Sequence, residues 1–142
     1  MEKTFPFEKQ LYNNDCGPTS LWILTLYYHL GMSRSFVYEN CIIKESGVSL
    51  LSLSECANKL GFHTLPIECS LEVFLQLFSN PIIAIINKSH YVVIYDVCEQ
   101  YIWISDPASE QRKYTYEDFE KIWYNNNEKG IIIDILLPKM IK

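Results

Sequence analysis

Glycine is scarce in this chain: five residues in 142, with no cluster among them. Without a glycine-rich turn there is nothing to cradle a phosphate, which argues against nucleotide binding. No G-x-S-x-G elbow occurs, so a serine nucleophile on a strained turn is not indicated. The five cysteines, at 16, 41, 56, 69 and 98, contain no C-x-x-C pair, and the three histidines form no H-x-x-x-H. A zinc site is therefore not indicated locally, and no metal or other cofactor is expected. An odd, scattered set of cysteines also fits no complete disulfide framework, so the thiols are expected to face a reducing compartment. The N-terminus "MEKTFPFEKQ" lacks the apolar core of a secretory signal. Apolar runs such as "IIAII" fall far short of the roughly 20 residues that span a bilayer. Basic runs are missing too, and with a net charge of −5 nucleic acid is an unexpected partner.

What the chain does have is a 49% hydrophobic, 14% aromatic composition without repeats or Pro/Gly/Ser linkers. One domain over residues 1–142 is expected, long enough to bury a core without staples. The first half reads helical. From Cys16 to Leu30 nearly every position is apolar, which is the pattern of a helix buried on all sides, with Gly31 expected to close it. Ser33 or Ser35 opens a second helical stretch, and Ser49 opens a third that stops at Gly61. "HTLPIEC" then reads as an edge strand, because Pro66 removes a ladder donor. "SLEVFLQLF" is a short helix capped by Ser70. "PIIAIIN", "HYVVIYDV" and "YIWISDP" read as consecutive strands, "TYEDFEKIWY" as an amphipathic helix capped by Thr115, and "GIIIDILLP" as a closing strand. The fold class is α+β, with a buried helix packed on a C-terminal antiparallel sheet.

The stretch "QLYNNDCGPTSL" places a cysteine where the buried helix begins. Asp15 can cap that helix, Pro18 suits its first turn, and Gly17 keeps the approach to the sulfur open. The positive end of the helix favours a thiolate at Cys16. By itself the stretch leaves two readings open, a small buried residue or a nucleophile. Acyl transfer by cysteine also needs a base, a group to orient it, and oxyanion donors. His29 lies thirteen residues along the same helix, about 20 Å from Cys16, and cannot be its base. His63 has no evident partner. His90 opens a strand and can present its ring at the sheet rim, and Asp106 ends the next strand, where Pro107 stops the ladder. A two-residue loop at Glu99 and Gln100 would pair Asp106 with Val93, on the face opposite His90. An odd loop or a bulge is needed for the two to meet. Gln10, six residues before Cys16, can donate to an oxyanion beside the Cys16 N–H.

The order Gln10, Asp15-Cys16-Gly17, His90 and Asp106-Pro107 resembles the papain-like, bacteriocin-processing peptidases that cut leader peptides after a double glycine. The resemblance spans roughly residues 7 to 137 and is carried chiefly by "QLYNNDCGPTSL", "SHYVVIYDV" and "IWISDP". It implies a papain-like cysteine peptidase fold, with Cys16 as nucleophile, His90 as base, Asp106 as orienting acid and Gln10 at the oxyanion. It implies a precursor peptide with an amphipathic helical leader ending in Gly-Gly as substrate. It also implies the membrane and ATPase parts of an ABC transporter as partners, at the cytoplasmic face of the membrane. The family often carries a glycine shortly after the tryptophan of the last helix, whereas here Trp123 is followed by "YNNNEKG". No transporter helices follow Lys142, so either a cut-out domain or a stand-alone peptidase is expected. Two rival readings use the same residues: a non-catalytic leader-docking module of an exporter, and a papain-like thiol acyltransferase with an amine acceptor.

Overall fold

A computed structural model describes residues 4–140; residues 1–3, 141 and 142, the ends of the single domain expected, lie outside them. Three helices come first: α1 (Cys16–Tyr27), α2 (Arg34–Glu39) and α3 (Leu50–Lys59). Then follow β1 (His63–Cys69), α4 (Leu71–Leu77), β2 (Ile82–Ile86), β3 (His90–Val97), β4 (Tyr101–Ser105), β5 (Gln111–Thr115), α5 (Tyr116–Trp123) and β6 (Gly130–Leu136). The six strands form one antiparallel sheet in the order β1-β6-β2-β3-β4-β5. The α+β expectation holds. No helix among the described residues is long and apolar enough to cross a membrane.

The capping chemistry explains most boundaries. Ser33, Ser49, Ser70 and Thr115 each accept a hydrogen bond from the backbone N–H three residues on, opening α2, α3, α4 and α5. Gly61, at φ 101°, closes α3 with two reversed hydrogen bonds, from its own N–H to Asn58 and from the Phe62 N–H to Ala57. The end of α1 differs from expectation. His29, not Gly31, takes the left-handed position at φ 56°, and the N–H groups of His29 and Leu30 reach back to Leu26 and Thr25. The hydrogen-bond pattern that ends a helix is satisfied two residues early, and Gly31, at φ 73°, lies in the irregular link to α2.

The sheet is covered on both sides. Leu21, Ile23 and Leu24 of α1 and Leu53 of α3 pack with Ile83, Tyr91, Val93, Tyr95 and Ile133 on one face. Phe74 of α4 and Phe119 and Trp123 of α5 pack with Val92, Ile94, Ile104 and Ile132 on the other. The alternation along β3 therefore feeds two cores, and each fully buried side chain of this size contributes about 1.5–3 kcal/mol. The Trp123 ring lies across Gly130, where a Cβ would come within 2.0 Å of it, and its Nε1–H donates to the Ile131 carbonyl at 3.1 Å. The glycine that follows "YNNNEK" thus seats the tryptophan of the last helix.

Two further features depart from the sequence reading. β5 is an edge strand of polar residues, "QRKYT", and carries no alternating apolar signal. Cys41 and Cys56 form a disulfide across 15 residues, tying the segment after α2 to α3, which corrects the expectation that all the thiols are free. Cys16, Cys69 and Cys98 remain thiols.

Candidate active site

Cys16 is the first residue of α1, half-buried at the helix's N-terminal end. Gly17 has a packing task. A Cβ there would stand 3.1 Å from Leu53 and 3.2 Å from the Tyr91 ring, so glycine lets the first turn press onto the start of β3. The Tyr91 hydroxyl donates to the Val48 carbonyl at 2.9 Å and draws the segment before α3 over the same place.

His90 is the first residue of β3, and Asp106 follows the last residue of β4. Near the turn the register is Val97 opposite Ile102 and Asp96 opposite Trp103; beyond a bulge between Ile94 and Asp96 it becomes Ile94 opposite Ile104 and Val93 opposite Ser105. The hairpin thus has its two-residue loop and gains one extra residue afterwards. That single offset returns His90 and Asp106 to one side of the ribbon, where His90 Nε2 and Asp106 Oδ1 stand 2.6 Å apart. The Ala108 N–H also donates to Asp106 Oδ1, at 2.9 Å, so the carboxylate shapes its Asp-Pro turn and holds the ring together.

With Nε2 on Asp106, Nδ1 is the ring nitrogen left over, and Cys16, which lines the same cleft as His90, acts on the ring. Burial alone would lower the His90 pKa, but the hydrogen bonds to Asp106 and Cys16 and the charges on both outweigh it and push it up to about 9. Burial would likewise raise Asp106, yet its bonds to His90 and Ala108 hold the carboxyl below its ordinary range. Both shifts favour a charged imidazolium paired with the Asp106 carboxylate.

Gln10 sits in a loop tied down at its own backbone, whose N–H donates to the Pro107 carbonyl at 2.8 Å, one residue from Asp106. Its amide nitrogen donates one hydrogen to the Tyr12 carbonyl at 2.6 Å, and its Oε1 is buried without a hydrogen-bond partner among the described residues. An amide nitrogen has two hydrogens, so a second remains for an incoming oxygen. Asp15 makes no side-chain cap of α1, contrary to expectation. Its buried carboxylate turns back and accepts from the N–H groups of Leu11 and Tyr12, at 2.9 and 2.8 Å. Upstream, Phe5 stacks on Tyr95, and the carbonyls of Pro6 and Phe5 accept from Ser105 and Gln111, making residues 5–10 a strap along the sheet.

A cleft of about 420 Å³ opens here, with Cys16, Asn13 and Asn14 on one side, His90 and Tyr91 on the other, and Ser46 to Leu50 over it. Past Ile85, Lys88 and Ile131 it runs on into a smaller hollow bounded by Trp123 and Gly130. His29 and His63 lie elsewhere, both exposed, at the end of α1 and the start of β1. Sequence reasoning missed the roles of Pro107 and Tyr91 and the inward turn of Asp15. Only the last had a visible signal, an acid four residues after Leu11 in a loop that had to be folded tightly.

Residues 4–127 match the peptidase C39 family. The chain belongs to that family, one of cysteine peptidases. Among curated C39 relatives, it is 29% identical over 132 residues to the SPbeta prophage-derived sublancin-168-processing and transport ATP-binding protein of Bacillus subtilis, covering 87% of this chain. It is 27% identical over 128 residues to the mesentericin-Y105 transport/processing ATP-binding protein of Leuconostoc mesenteroides, covering 85%. The chain spans 18% of the length of each. Among solved structures, a double glycine motif protease from an AMS/PCAT transporter in complex with its leader peptide superposes with a TM-score of 0.86, at 23% identity over 94% of this chain and 92% of that one. The peptidase domain of Streptococcus ComA gives 0.82, at 24% identity over 94% and 99%. At those identities the likeness establishes the papain-like C39 fold.

Proposed function

We propose that residues 1–142 form a single peptidase domain that cuts precursor peptides after a Gly-Gly motif at the end of an amphipathic leader, coupled to export by an ABC transporter at the cytoplasmic face of the membrane. The observation that carries the reading is the line from Cys16 through His90 to Asp106 at the mouth of the cleft. Cys16 Sγ attacks the glycine carbonyl, and the π electrons move to the oxygen. The second amide hydrogen of Gln10 and the Cys16 N–H, which lies in the first turn and so has no partner within the helix, receive the oxyanion. His90 gives its Nδ1 proton to the leaving amine, and then takes one from the water that releases the leader acid. Asp106 accepts the Nε2–H throughout and keeps Nδ1 aimed at the sulfur.

Support for a leader substrate comes from the relatives, whose names couple processing to transport, and from a neighbouring structure that holds a leader peptide. The hollow beside Trp123 offers an apolar continuation of the cleft for residues before the cut. The test is intact mass after incubation with a double-glycine precursor. Cleavage after Gly-Gly that disappears in Cys16→Ala is the expected result. Binding without cleavage by fresh reduced protein would instead favour a docking module, and a mass gain from an added amine a transferase.

A further inference from the structure

The loop that carries Gln10 is held by a network none of whose members faces the cleft. The Arg34 guanidinium lies 4.7 Å above the Trp22 ring and donates to the Lys9 carbonyl at 2.6 Å. It also donates to the Tyr38 hydroxyl and, at 3.2 Å, to Thr19 Oγ1. The Tyr38 hydroxyl donates in turn to the buried Asp15 carboxylate. Asp15 holds the N–H groups of Leu11 and Tyr12, and Tyr12 in turn orients the Gln10 amide. Arg34 and Asp15 therefore grip the loop on the two sides of Gln10, at residue 9 and at residues 11 and 12. Asp15 also precedes Cys16 directly, so one carboxylate sets the spacing between the two proposed oxyanion donors.

We propose that Arg34, Tyr38 and Asp15 are positioning residues for the oxyanion site, acting through the 9–12 loop on Gln10. The inference rests on the peptidase reading given above. It explains why a buried carboxylate is held at the base of a surface loop: an apolar side chain there would leave two N–H groups unpartnered and the loop free to drift. Drift of about 1 Å in a donor costs on the order of 100-fold in rate.

The test uses the whole chain with Tyr38→Phe, which keeps the ring beside Arg34 and removes only the hydroxyl. The variant is made alone and together with Gln10→Ala. Two reactions of Cys16 are compared. Alkylation by iodoacetamide forms a C–S bond at a saturated carbon and expels iodide, so no oxyanion arises. Addition to a peptide aldehyde ending in Gly-glycinal forms a C–S bond while the carbonyl π electrons become an oxyanion that takes a proton from His90. Tyr38→Phe is expected to leave the alkylation rate within about twofold and to weaken aldehyde binding by about 10-fold or more. On a double-glycine precursor it lowers kcat by a similar factor with KM little changed. In the Gln10→Ala background it has no further effect on either. Arg34→Lys, which keeps the charge but not the fork, shows the same pattern and serves if Tyr38→Phe folds poorly.

Loss of alkylation in step with aldehyde binding, or effects that simply add to those of Gln10→Ala, would assign the network to the fold and overturn the proposal. So would a wild-type chain that does not bind the aldehyde. A wild-type chain that binds the aldehyde yet cuts no precursor refutes the proposed substrate alone, and the comparison of variants still decides the positioning role.

Discussion

The two faces of the sheet each carry an apolar core but differ in what polar groups they bury. Toward α4 and α5 the core is hydrocarbon and aromatic ring, with Phe74, Phe119 and Trp123 in contact and the Trp123 N–H and the Tyr116 and Tyr124 hydroxyls hydrogen-bonded to the backbone. Toward α1–α3 the layer also buries Asp15, Thr19, Ser20 and Thr25, and Asp106 is buried at the rim nearby. Buried polar groups stabilise less than apolar ones of equal volume, but they fix orientation. Both faces hold the sheet, and the second also orients the proposed site residues.

That division can be broken by experiment. The largest effect is expected from Cys16→Ala: turnover falls below detection in a precursor-cleavage assay, while the urea midpoint stays near that of the parent. Next comes Asp106→Asn, which leaves His90 without its acceptor; kcat drops by about 10²- to 10⁴-fold with the fold intact by circular dichroism. Loss of folding there would mean that the Asp-Pro turn, not the imidazole, is what the carboxylate serves. On the other face Phe74→Ala should reverse the pattern. It costs about 3–5 kcal/mol in denaturant unfolding, and kcat per folded molecule is unchanged. A drop in kcat would show that the faces are coupled through β3.

Smaller effects sharpen the picture. His90 has its pKa raised in the folded state, so its contribution to stability is complete below about pH 6.5 and is lost as pH rises through about 9. Asp106 is shifted the other way: its contribution is present above the ordinary carboxylate range and lost as pH falls through its lowered value. Stability measured against pH should therefore decline at both ends, and His90→Gln should flatten the alkaline decline. Finally, iodoacetamide at neutral pH should reach Cys16 before Cys98, although Cys98 is the exposed thiol of the two. The reverse order would show exposure, not activation, in control.

Most of the architecture was legible because its signals are local. Serine and threonine caps, the β-branched runs "IIAII" and "HYVVIYDV", and Pro66 on an edge strand each act within a few residues. β5 was illegible because an edge strand of "QRKYT" is held by β4's ladder and buries little of its own. The four proposed site residues were recognisable by type and order, and the need for an odd offset between His90 and Asp106 followed from strand parity. Its location at Tyr95 did not, since a bulge depends on packing in three dimensions. Asp15 was misread for a related reason. As a helix cap it would use one acceptor, whereas the folded loop offers two N–H groups and a tyrosine hydroxyl, and the richer set wins.

The strap of residues 5–10 sets an order of assembly. Phe5 and Pro6 dock against Ser105 and Gln111, contacts that close loops of 99 and 106 residues. Loops of that length are closed late, because their entropy is repaid only once the sheet exists to receive them. During synthesis the segment bearing Gln10 leaves the ribosome early, yet it has nowhere to settle until β4 and β5 have emerged. Cys16 and its helix are made well before then, so the nascent chain carries the thiol before the proposed oxyanion site is in place. The proposed site is thus finished only after β4 and β5 have been made.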